Sequence, residues 1–325
     1  MKTRRRKGNL SFPIILITLV LAIAFALSNM LYLTDDFPYL SLSPHEEVMM
    51  NDDALTRGVA QPAMPVINTA AGTFVAHFID VGNADAILLE CNGEYALIDA
   101  GENNQGNLVK EYLARQGVGE LEFAVGTHPH SDHIGGLDIV LDDIPTKTVY
   151  LPDSAHTTKT YSDLLSVIEK QEINLVIPQV GDTISLGDAI CTVLSPARKY
   201  DDMNDDSIVI RVVFGNTSYL FMGDATREAE EDILNSGLDL SSDVLKVGHH
   251  GSYTSSSYVF LREVMPMYTV IPCGANNDYG HPHDEVMSRL LDLQKVQGTE
   301  IYRSDSNGNI VISSDGDIIS VVSEQ

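Results

Sequence analysis

Thr127-His128-Pro129-His130-Ser131-Asp132-His133 is the most informative run of this sequence, and it stands between the apolar run 123–126 and Gly135-Gly136. Imidazole nitrogens and carboxylates are suitable ligands for zinc, manganese or iron. The run offers four such groups within six residues at the end of a predicted strand, so it can serve two ions at once. It therefore predicts a metal site.

The other histidines of the chain also cluster, since seven of the ten lie in three places. The second place is His249-His250, where a predicted strand ends in an abrupt polar turn, and the third is His281-Pro282-His283. Between the first and second places, an apolar strand ends in Gly223-Asp224. Taken alone, Gly-Asp at a strand end is an ordinary turn or helix cap. In this company, Asp224 is a candidate to bridge two metal ions.

The pattern from residue 73 onward alternates short apolar or β-branched runs with turn residues and amphipathic stretches. Strand patterns come first in meander order and then alternate with helical patterns, twice over. This order predicts a layered α/β architecture with sheets packed between helices. The predicted strands are 74–81, 86–90, 95–99, 123–127, 148–151, 174–177, 190–194, 208–214, 218–222, 244–247, 268–271, 309–312 and 318–322, and the predicted helices are 105–117, 133–142, 161–171, 226–236, 256–265 and 284–297.

The composition limits the partners of the chain. Its 46 acidic and 20 basic residues give a formal net charge of −26. Such a surface repels polyanions at long range, which disfavours tight nonspecific nucleic-acid binding unless metal ions or a local basic strip reverse the field. Cys91, Cys191 and Cys273 are widely spaced, which predicts small buried hydrophobic residues and neither a disulfide framework nor a cysteine zinc site.

The N-terminus predicts export of the rest of the chain. Residues 10–33 carry no charge and follow a basic cluster within residues 2–7. As a helix this segment would span about 36 Å, enough to cross a hydrocarbon layer of roughly 30 Å. The basic flank is then expected in the cytoplasm and the rest outside. Ala24-Phe25-Ala26 allows a cleaved signal instead, but an uncleaved single-pass anchor is preferred because apolar character continues beyond it.

Three regions follow from these patterns. Residues 1–33 are the basic flank and the anchor or signal segment. Residues 34–72 mix acidic residues with prolines and predict an extended linker. Residues 73–325 are the predicted catalytic domain.

The motifs together resemble the metallo-β-lactamase superfamily, whose mark is the HxHxDH run, and within it the hydrolase-like domain of the ComEC competence proteins. The resemblance covers residues 73 to about 290 in the family's order. It implies a four-layer αββα sandwich with the metal site along one edge of the two sheets. Besides the HxHxDHxGG run, it rests on Phe78-Ile79-Asp80-Val81-Gly82, Leu97-Ile98-Asp99-Ala100-Gly101, Asn204-Asp205-Asp206-Ser207, Phe221-Met222-Gly223-Asp224, His249-His250-Gly251-Ser252 and Gly280-His281-Pro282-His283.

The resemblance also implies roles for single residues. His128 and His130 are expected to bind a first divalent ion, Asp132 and His133 a second, and Asp224 both. Either His249 or His250 completes the second site, and His249 is preferred because it follows the strand directly. Asp99 resembles the family's carboxylate that orients a metal-bound histidine.

The chain departs from the family pattern in two places. Many members supply a third histidine to the first metal about twenty residues before the bridging aspartate, and none stands there in this chain. Asn204 or Asp205 is a candidate substitute, so the two ions are expected to be zinc or manganese. The second departure is Gly82-Asn83-Ala84-Asp85, where the ComEC-like pattern usually has Gly-Gln-Gly-Asp.

These features predict an extracytoplasmic hydrolase that attacks an ester with a metal-bound hydroxide oriented by Asp132 or Asp224. His281 or His283 would hold a phosphoryl oxygen or protonate the leaving group. The resemblance favours a phosphodiester substrate, either DNA outside the cell or an envelope phosphodiester, and with one candidate span any role in uptake needs a partner membrane protein. A lactone, thioester or β-lactam hydrolase is the alternative enzyme. A non-enzymatic metal-binding module is disfavoured because the predicted ligands are retained.

Overall fold

The computed structural model describes residues 72–324 of the chain. The predicted anchor or signal segment, 1–33, and nearly all of the predicted linker, 34–72, lie outside the described residues. Among the helices of residues 72–324, none is long and apolar enough to cross a membrane.

The described residues form fifteen strands and eight α-helices, with one 3-10 turn at Gly248–Gly251. The helices are α1 (Gly106–Arg115), α2 (Ser131–Ile134), α3 (Leu137–Asp143), α4 (Lys159–Lys170), α5 (Arg227–Asn235), α6 (Tyr258–Val264), α7 (Asp284–Gln297) and α8 (Ser304–Asn307). The strands are β1 (Phe74–Phe78), β2 (Ala86–Cys91), β3 (Glu94–Ala100), β4 (Leu121–Val125), β5 (Thr146–Tyr150), β6 (Asn174–Val176), β7 (Thr183–Leu186), β8 (Ala189–Ser195), β9 (Val209–Phe214), β10 (Thr217–Phe221), β11 (Val244–Lys246), β12 (Tyr268–Ile271), β13 (Glu300–Arg303), β14 (Ile310–Ser314) and β15 (Ile319–Ser323).

The strands form two mixed sheets. The first sheet has the order β15-β14-β1-β2-β3-β4-β5-β6, and the second has the order β13-β12-β11-β10-β9-β8-β7. In each sheet, antiparallel pairing changes to parallel pairing where helices begin to connect the strands, after β3 in the first and after β10 in the second. Parallel neighbours need such crossover connections, and crossovers cover a sheet face with helices.

Three apolar cores separate the layers. The central core lies between the sheets and contains side chains of both, for example Phe74 and Tyr219, whose rings are 4.7 Å apart. A second core packs α1, α3 and α4 on the first sheet, and a third packs α5, α6 and α7 on the second sheet. The layers are therefore helix, sheet, sheet and helix, as the resemblance implied. The three cysteines are buried, which confirms their prediction as buried residues, and each is a free thiol.

The structure corrects one predicted helix and adds strands that were not predicted. The predicted helix 133–142 is two helices, α2 and α3, separated by Gly135 and Gly136. A Cβ at Gly136 would lie 2.2 Å from the carbonyl oxygen of Ala100, so the chain needs glycine to pass this close to β3. Strands β7 and β13 were not predicted. They are the edge strands of the second sheet and, apart from Leu186, none of their residues is buried, so they lack the apolar pattern on which a sequence prediction depends.

Candidate metal centre

The candidate ligands follow strands whose carboxyl ends meet at one edge of the sandwich. In the first sheet, Asp99 lies at the end of β3, and residues 127–133 follow the parallel strand β4. In the second sheet, Asp224 follows β10, and His249-His250 follow the parallel strand β11. Because the carboxyl ends of parallel strands lie at the same edge of a sheet, residues far apart in the chain converge here.

Asp132, His133, Asp224 and His250 form a compact group whose ligand atoms all lie within 4.8 Å of one another. Oδ1 of Asp224 is 3.2 Å from Nε2 of His133 and 3.5 Å from Nε2 of His250. These three atoms are buried, and none has a hydrogen-bond partner within the described part of the chain. Buried polar atoms that converge without hydrogen bonds fit a shared cation, and two imidazoles with two carboxylates suit zinc or manganese.

The residues expected at the first metal also come together. Nε2 of His128 and Nδ1 of His130 are 2.9 Å apart. Asn204 lines the same cleft as His130 and Asp224, and its buried Oδ1 has no hydrogen-bond partner among residues 72–324. Its amide oxygen is thus free of protein partners in the cleft, as a substitute ligand would need to be.

Asp205, the other candidate substitute, faces away from this group. Its Oδ1 accepts hydrogen bonds from the backbone N–H groups of Thr226 and Ala229, at 2.8 and 3.2 Å, and its Oδ2 accepts one from the Thr226 hydroxyl at 2.9 Å. Thr226 and Ala229 begin α5, whose first turn leaves N–H groups without partners inside the helix. Asp205 therefore caps a helix in this structure and is not brought to the metal ligands.

The adjacent histidines His249 and His250 occupy different environments. His250 is fully buried, belongs to the compact group, and directs its Nδ1 to the carbonyl oxygen of Pro272 at 2.9 Å. His249 has 22% of its side chain exposed, and its Nε2 is 3.6 Å from Oδ2 of Asp224. The geometry thus favours His250 as the ligand and places His249 beside it in the cleft, contrary to the preference drawn from chain order.

Asp99 contacts the ring nitrogen of His133 that does not belong to the compact group. Its Oδ2 is 2.8 Å from Nδ1 of His133 and accepts a hydrogen bond from the Thr127 hydroxyl at 2.7 Å, while its Oδ1 accepts one from the Thr127 N–H at 2.8 Å. A carboxylate on one imidazole nitrogen sets the ring's tautomer and leaves the other nitrogen free for a metal. This is the contact that the resemblance implied for Asp99.

The carboxylates and imidazoles of the group shift each other's protonation. Burial alone would raise the pKa of Asp224, but the adjacent His133 and His250 hold that pKa well below its usual range. Burial alone would lower the pKa of His133, but Asp224 and Asp99 hold it well above its usual range. The two aspartates of the group, Asp132 and Asp224, are kept ionised by their lowered pKa, and carboxylates bind metal in the ionised state.

The group lies at the floor of an open cleft of about 300 Å³. None of the described residues that line this cleft is a lysine or arginine. The lining consists of Asn83, His130, Ser131, Asp132, Asn204, Asp224, His249, His250, Tyr279 and His281.

His281 and His283, the predicted acid or binding residues, lie near the mouth of the cleft but differ in position. His281 lines the cleft, its Nδ1 has no hydrogen-bond partner among residues 72–324, and burial together with the neighbouring His250 lowers its pKa to about 4. His283 is not among the lining residues. Its Nδ1 accepts a hydrogen bond from the Tyr253 N–H at 3.1 Å, and its ring stands 4.9 Å from that of His281.

Three residues of this region were not singled out as site residues from the sequence. Lys246 and Asp85 form a buried ion pair of 2.5 Å beneath the ligands, and Tyr279, 70% exposed, stacks on His281 with ring centres 5.5 Å apart. A lysine in the otherwise apolar run 244–247, shortly before His249-His250, is the sequence feature that could have drawn attention to Lys246, although not to its partner. Nothing in the sequence around Tyr279 distinguishes it from an ordinary loop residue.

Comparison with known proteins agrees with this geometry. The family model of the metallo-beta-lactamase superfamily matches residues 79–274. The chain is 30% identical over 200 residues to ComE operon protein 3 of Bacillus subtilis, covering 61% of this chain and 25% of that protein. It is 33% identical over 233 residues to the competence protein ComA of Neisseria gonorrhoeae, covering 70% of this chain and 30% of that protein.

The chain spans about a quarter to a third of the length of the curated relatives it matches. A solved structure titled as the metallo-beta-lactamase fold protein YhfI of Bacillus subtilis covers 75% of this chain and 100% of its own, with a TM-score of 0.51 and 12% identity. A likeness at that identity concerns the fold alone.

Proposed function

This chain belongs to the metallo-beta-lactamase superfamily, and from that premise we propose that it is a metal-dependent phosphodiesterase or nuclease-like hydrolase. One observation carries the proposal. The ligand atoms of Asp132, His133, Asp224 and His250 converge within 4.8 Å at the floor of an open cleft, and the buried atoms of the last three make no hydrogen bond to the described residues.

The proposed site holds two divalent ions, zinc or manganese. His128, His130 and Asn204 would hold the first, Asp132, His133 and His250 the second, and Asp224 both. When bound, such ions lower the pKa of a water molecule toward neutrality and take up negative charge that develops on the attacked ester. The protein supplies the positions of these ligands, since Asp99 fixes His133 and the Pro272 carbonyl oxygen fixes His250.

Asp132 is the residue best placed to act on the attacking water. Its side chain is 26% exposed to the cleft, whereas that of Asp224 is almost completely buried. Burial alone would raise the pKa of Asp132, but its contact with His250 and the charge of His133 hold the pKa well below its usual range. An ionised carboxylate oxygen at this position can accept a hydrogen bond from the water and so orient it.

His281 is suited to hold a phosphoryl oxygen. With its pKa lowered to about 4, it is neutral near pH 7 and can donate one N–H without carrying a charge. That favours binding over protonation of a leaving group, which needs an imidazole that is protonated near the working pH. The ring of His283 packs beside that of His281, and a hydrogen bond from the Tyr253 N–H to Nδ1 holds the His283 ring in place.

The proposed substrate is a phosphodiester, either DNA outside the cell or a phosphodiester of the envelope. A relative bearing the name competence protein supports a link to DNA uptake. The proposed location is outside the cytoplasmic membrane, with residues 1–33 as a single-pass anchor, or as a cleaved signal that releases the protein. In uptake, the chain would act beside a partner membrane protein.

The full-length chain, purified in detergent and loaded with Mn²⁺ or Zn²⁺, tests this proposal with bis-p-nitrophenyl phosphate, a single-stranded oligonucleotide and nitrocefin. We expect turnover of the phosphodiesters, and a loss of about 100-fold or more in kcat for Asp132→Ala, in line with the contribution of a positioned acid or base. Asp153→Ala removes an exposed carboxylate and serves as the matched control.

The outcomes separate the candidate functions. Turnover of nitrocefin alone would identify a β-lactam hydrolase on the same scaffold. Protein that binds two ions but turns over none of the substrates would indicate a metal-binding module without this activity. Equal kcat for Asp132→Ala and Asp153→Ala would remove Asp132 from the mechanism.

A further inference from the structure

Lys246 is completely buried beneath the candidate ligands, in the inner strand β11 of the second sheet. Its ammonium group is 2.5 Å from Oδ2 of Asp85, donates a hydrogen bond to the carbonyl oxygen of Gly223 at 2.6 Å, and lies 3.7 Å from Oδ1 of Asp224. Removing an ammonium group from water costs several kcal/mol unless its partners are well placed. An apolar side chain would fill this position in a buried strand at lower cost, so the lysine has a role beyond packing.

The ion pair joins the two sheets directly under the site. Asp85 stands immediately before β2 of the first sheet, whereas Lys246 ends β11 of the second. The backbone of Asp85 is fixed to the first-sheet side of the site, because its N–H donates to the carbonyl oxygen of Asp132 at 3.1 Å and its carbonyl oxygen accepts from the Gly101 N–H at 2.7 Å. Through Asp85, the Lys246 ammonium therefore links helix α2, which carries Asp132, to the strand ends that precede Asp224 and His250.

The same pair contacts both second-sheet ligands. The carbonyl oxygen of Gly223 accepts hydrogen bonds from the Lys246 ammonium and from the backbone N–H of His249, which fixes the bend that turns Asp224 inward. The carboxylate of Asp85 reaches His250, with its Oδ1 3.5 Å from Nδ1 of that ring. The pair thus contacts the backbone bend before Asp224 through a hydrogen bond and the His250 ring through a charge, in addition to the hydrogen bond that His250 makes with the Pro272 carbonyl oxygen.

Lys246 does not reach the substrate. It is fully buried, and it is absent from the described residues that line the cleft. Its effect on the site must therefore act through Asp224 and His250.

We propose that Lys246, paired with Asp85, is a positioning residue of the metal centre that holds Asp224 and His250 of the second sheet in register with Asp132 and His133 of the first. This inference rests on the proposed metal site and adds that the site needs the Lys246–Asp85 pair for its geometry. The site stays assembled across two sheets because one internal cation satisfies groups from both. The rival reading is an ion pair that stabilises the sandwich without affecting the ligands.

The test measures Co²⁺ and Mn²⁺ binding by the full-length chain, as stoichiometry, dissociation constants and the visible spectrum of the Co²⁺ protein. Lys246→Met keeps the length of the side chain and removes its charge. Because that variant leaves Asp85 buried and unpaired, the double variant Asp85→Asn with Lys246→Met is measured beside it and is expected to fold more readily. Lys170→Met, which removes an exposed lysine, is the matched control.

We expect both Lys246 variants to bind the more weakly held ion about 10- to 100-fold less tightly than wild type, the usual effect of losing a partner behind the ligands. Their Co²⁺ spectra should change, while Lys170→Met keeps the wild-type constants and spectrum. A folded double variant with wild-type constants and spectrum, altered only in its unfolding midpoint, would overturn the proposal in favour of the rival reading. Wild-type protein that binds neither ion would instead contradict the proposed metal site itself.

Discussion

The adjacent histidines His249 and His250 have different surroundings at this site because of the backbone conformation between them. His249 and His250 both adopt left-handed backbone angles, with φ of 49° and 51°, at the turn after β11. Such angles are uncommon outside glycine and are found at functional sites, where the surrounding structure maintains them. This turn sends one imidazole into the buried group and leaves the other at the cleft.

The two histidines also respond differently to their surroundings. Burial alone would lower the pKa of His250, but the charge of Asp224 and the contact with Asp132 raise it above its usual range. For His249 burial is the largest effect and its pKa is lowered, although Asp224 opposes this shift. His250 therefore has the stronger electrostatic coupling to the ligand carboxylates.

Replacing each histidine by alanine should separate their roles. His250→Ala removes a proposed ligand, so we expect the second ion to bind more than about 100-fold more weakly, beyond the usual effect of losing a residue behind the ligands. His249→Ala should change metal affinity by less than about tenfold and should act mainly on kcat. Elemental analysis after dialysis and calorimetric titration measure the difference. The opposite order of metal loss would restore His249 as the ligand.

Among the secondary-structure elements, α5 depends on a residue outside itself. Its N-cap, Thr226, makes no side-chain capping hydrogen bond of its own. Asp205, from the loop before β9, instead accepts from the backbone N–H groups of Thr226 and Ala229. A carboxylate at a helix N-terminus also interacts favourably with the helix dipole. Two neighbouring residues of the Asn204-Asp205-Asp206-Ser207 motif thus differ in role, since Asn204 lines the cleft and Asp205 caps a helix.

Asp205→Ala should therefore destabilise the fold and leave the metal centre intact. Buried N–H groups without partners cost about 1–3 kcal/mol, so we expect a loss of that size in the free energy of unfolding in urea. Asp239→Ala, which removes an exposed carboxylate that pairs with Arg211, should change stability by less than about 1 kcal/mol. If Asp205→Ala lost metal while keeping wild-type stability, Asp205 would be a ligand after all.

For the chain as a whole, the dominant property is its negative charge of −26. The cleft lining adds no lysine or arginine among the described residues. Most nucleic-acid-binding proteins attract the phosphate backbone and lose affinity as salt rises. Here the long-range field acts against a polyanionic substrate, and the proposed ions are the local positive charges that would receive a phosphodiester.

Ionic strength should accordingly affect large and small substrates differently. Raising salt from 0.01 to 0.1 M shortens the screening length from about 30 to about 10 Å. We expect kcat/KM for a single-stranded oligonucleotide to rise by about tenfold, the lower range of long-range field effects on association rates. The value for bis-p-nitrophenyl phosphate, which carries one charge, should change much less. A fall of kcat/KM for the oligonucleotide with salt would reveal a basic binding surface that attracts it.

The sequence alone was sufficient for the layered α/β fold and for most of the candidate ligands. The spacing of apolar residues in the sequence indicates which face of each strand or helix is buried. Any chain with a large apolar core shows such spacing. The HxHxDH run places several ligands within one loop, so it could be recognised before any tertiary contact was known. Asp224 and the His249-His250 pair were recognised because each ends an apolar strand, and strand ends of this kind meet at one edge.

Only the tertiary structure decided between neighbouring candidates. His250 rather than His249 belongs to the compact group, and Asn204 rather than Asp205 lines the cleft, because of backbone turns that sequence spacing does not encode. The Lys246–Asp85 pair spans two sheets, and nothing local to either residue reveals its partner. The physical reason is common to all three cases: periodicity reports burial, which is a property of one element, whereas the direction and partner of a buried polar group depend on the other elements packed against it.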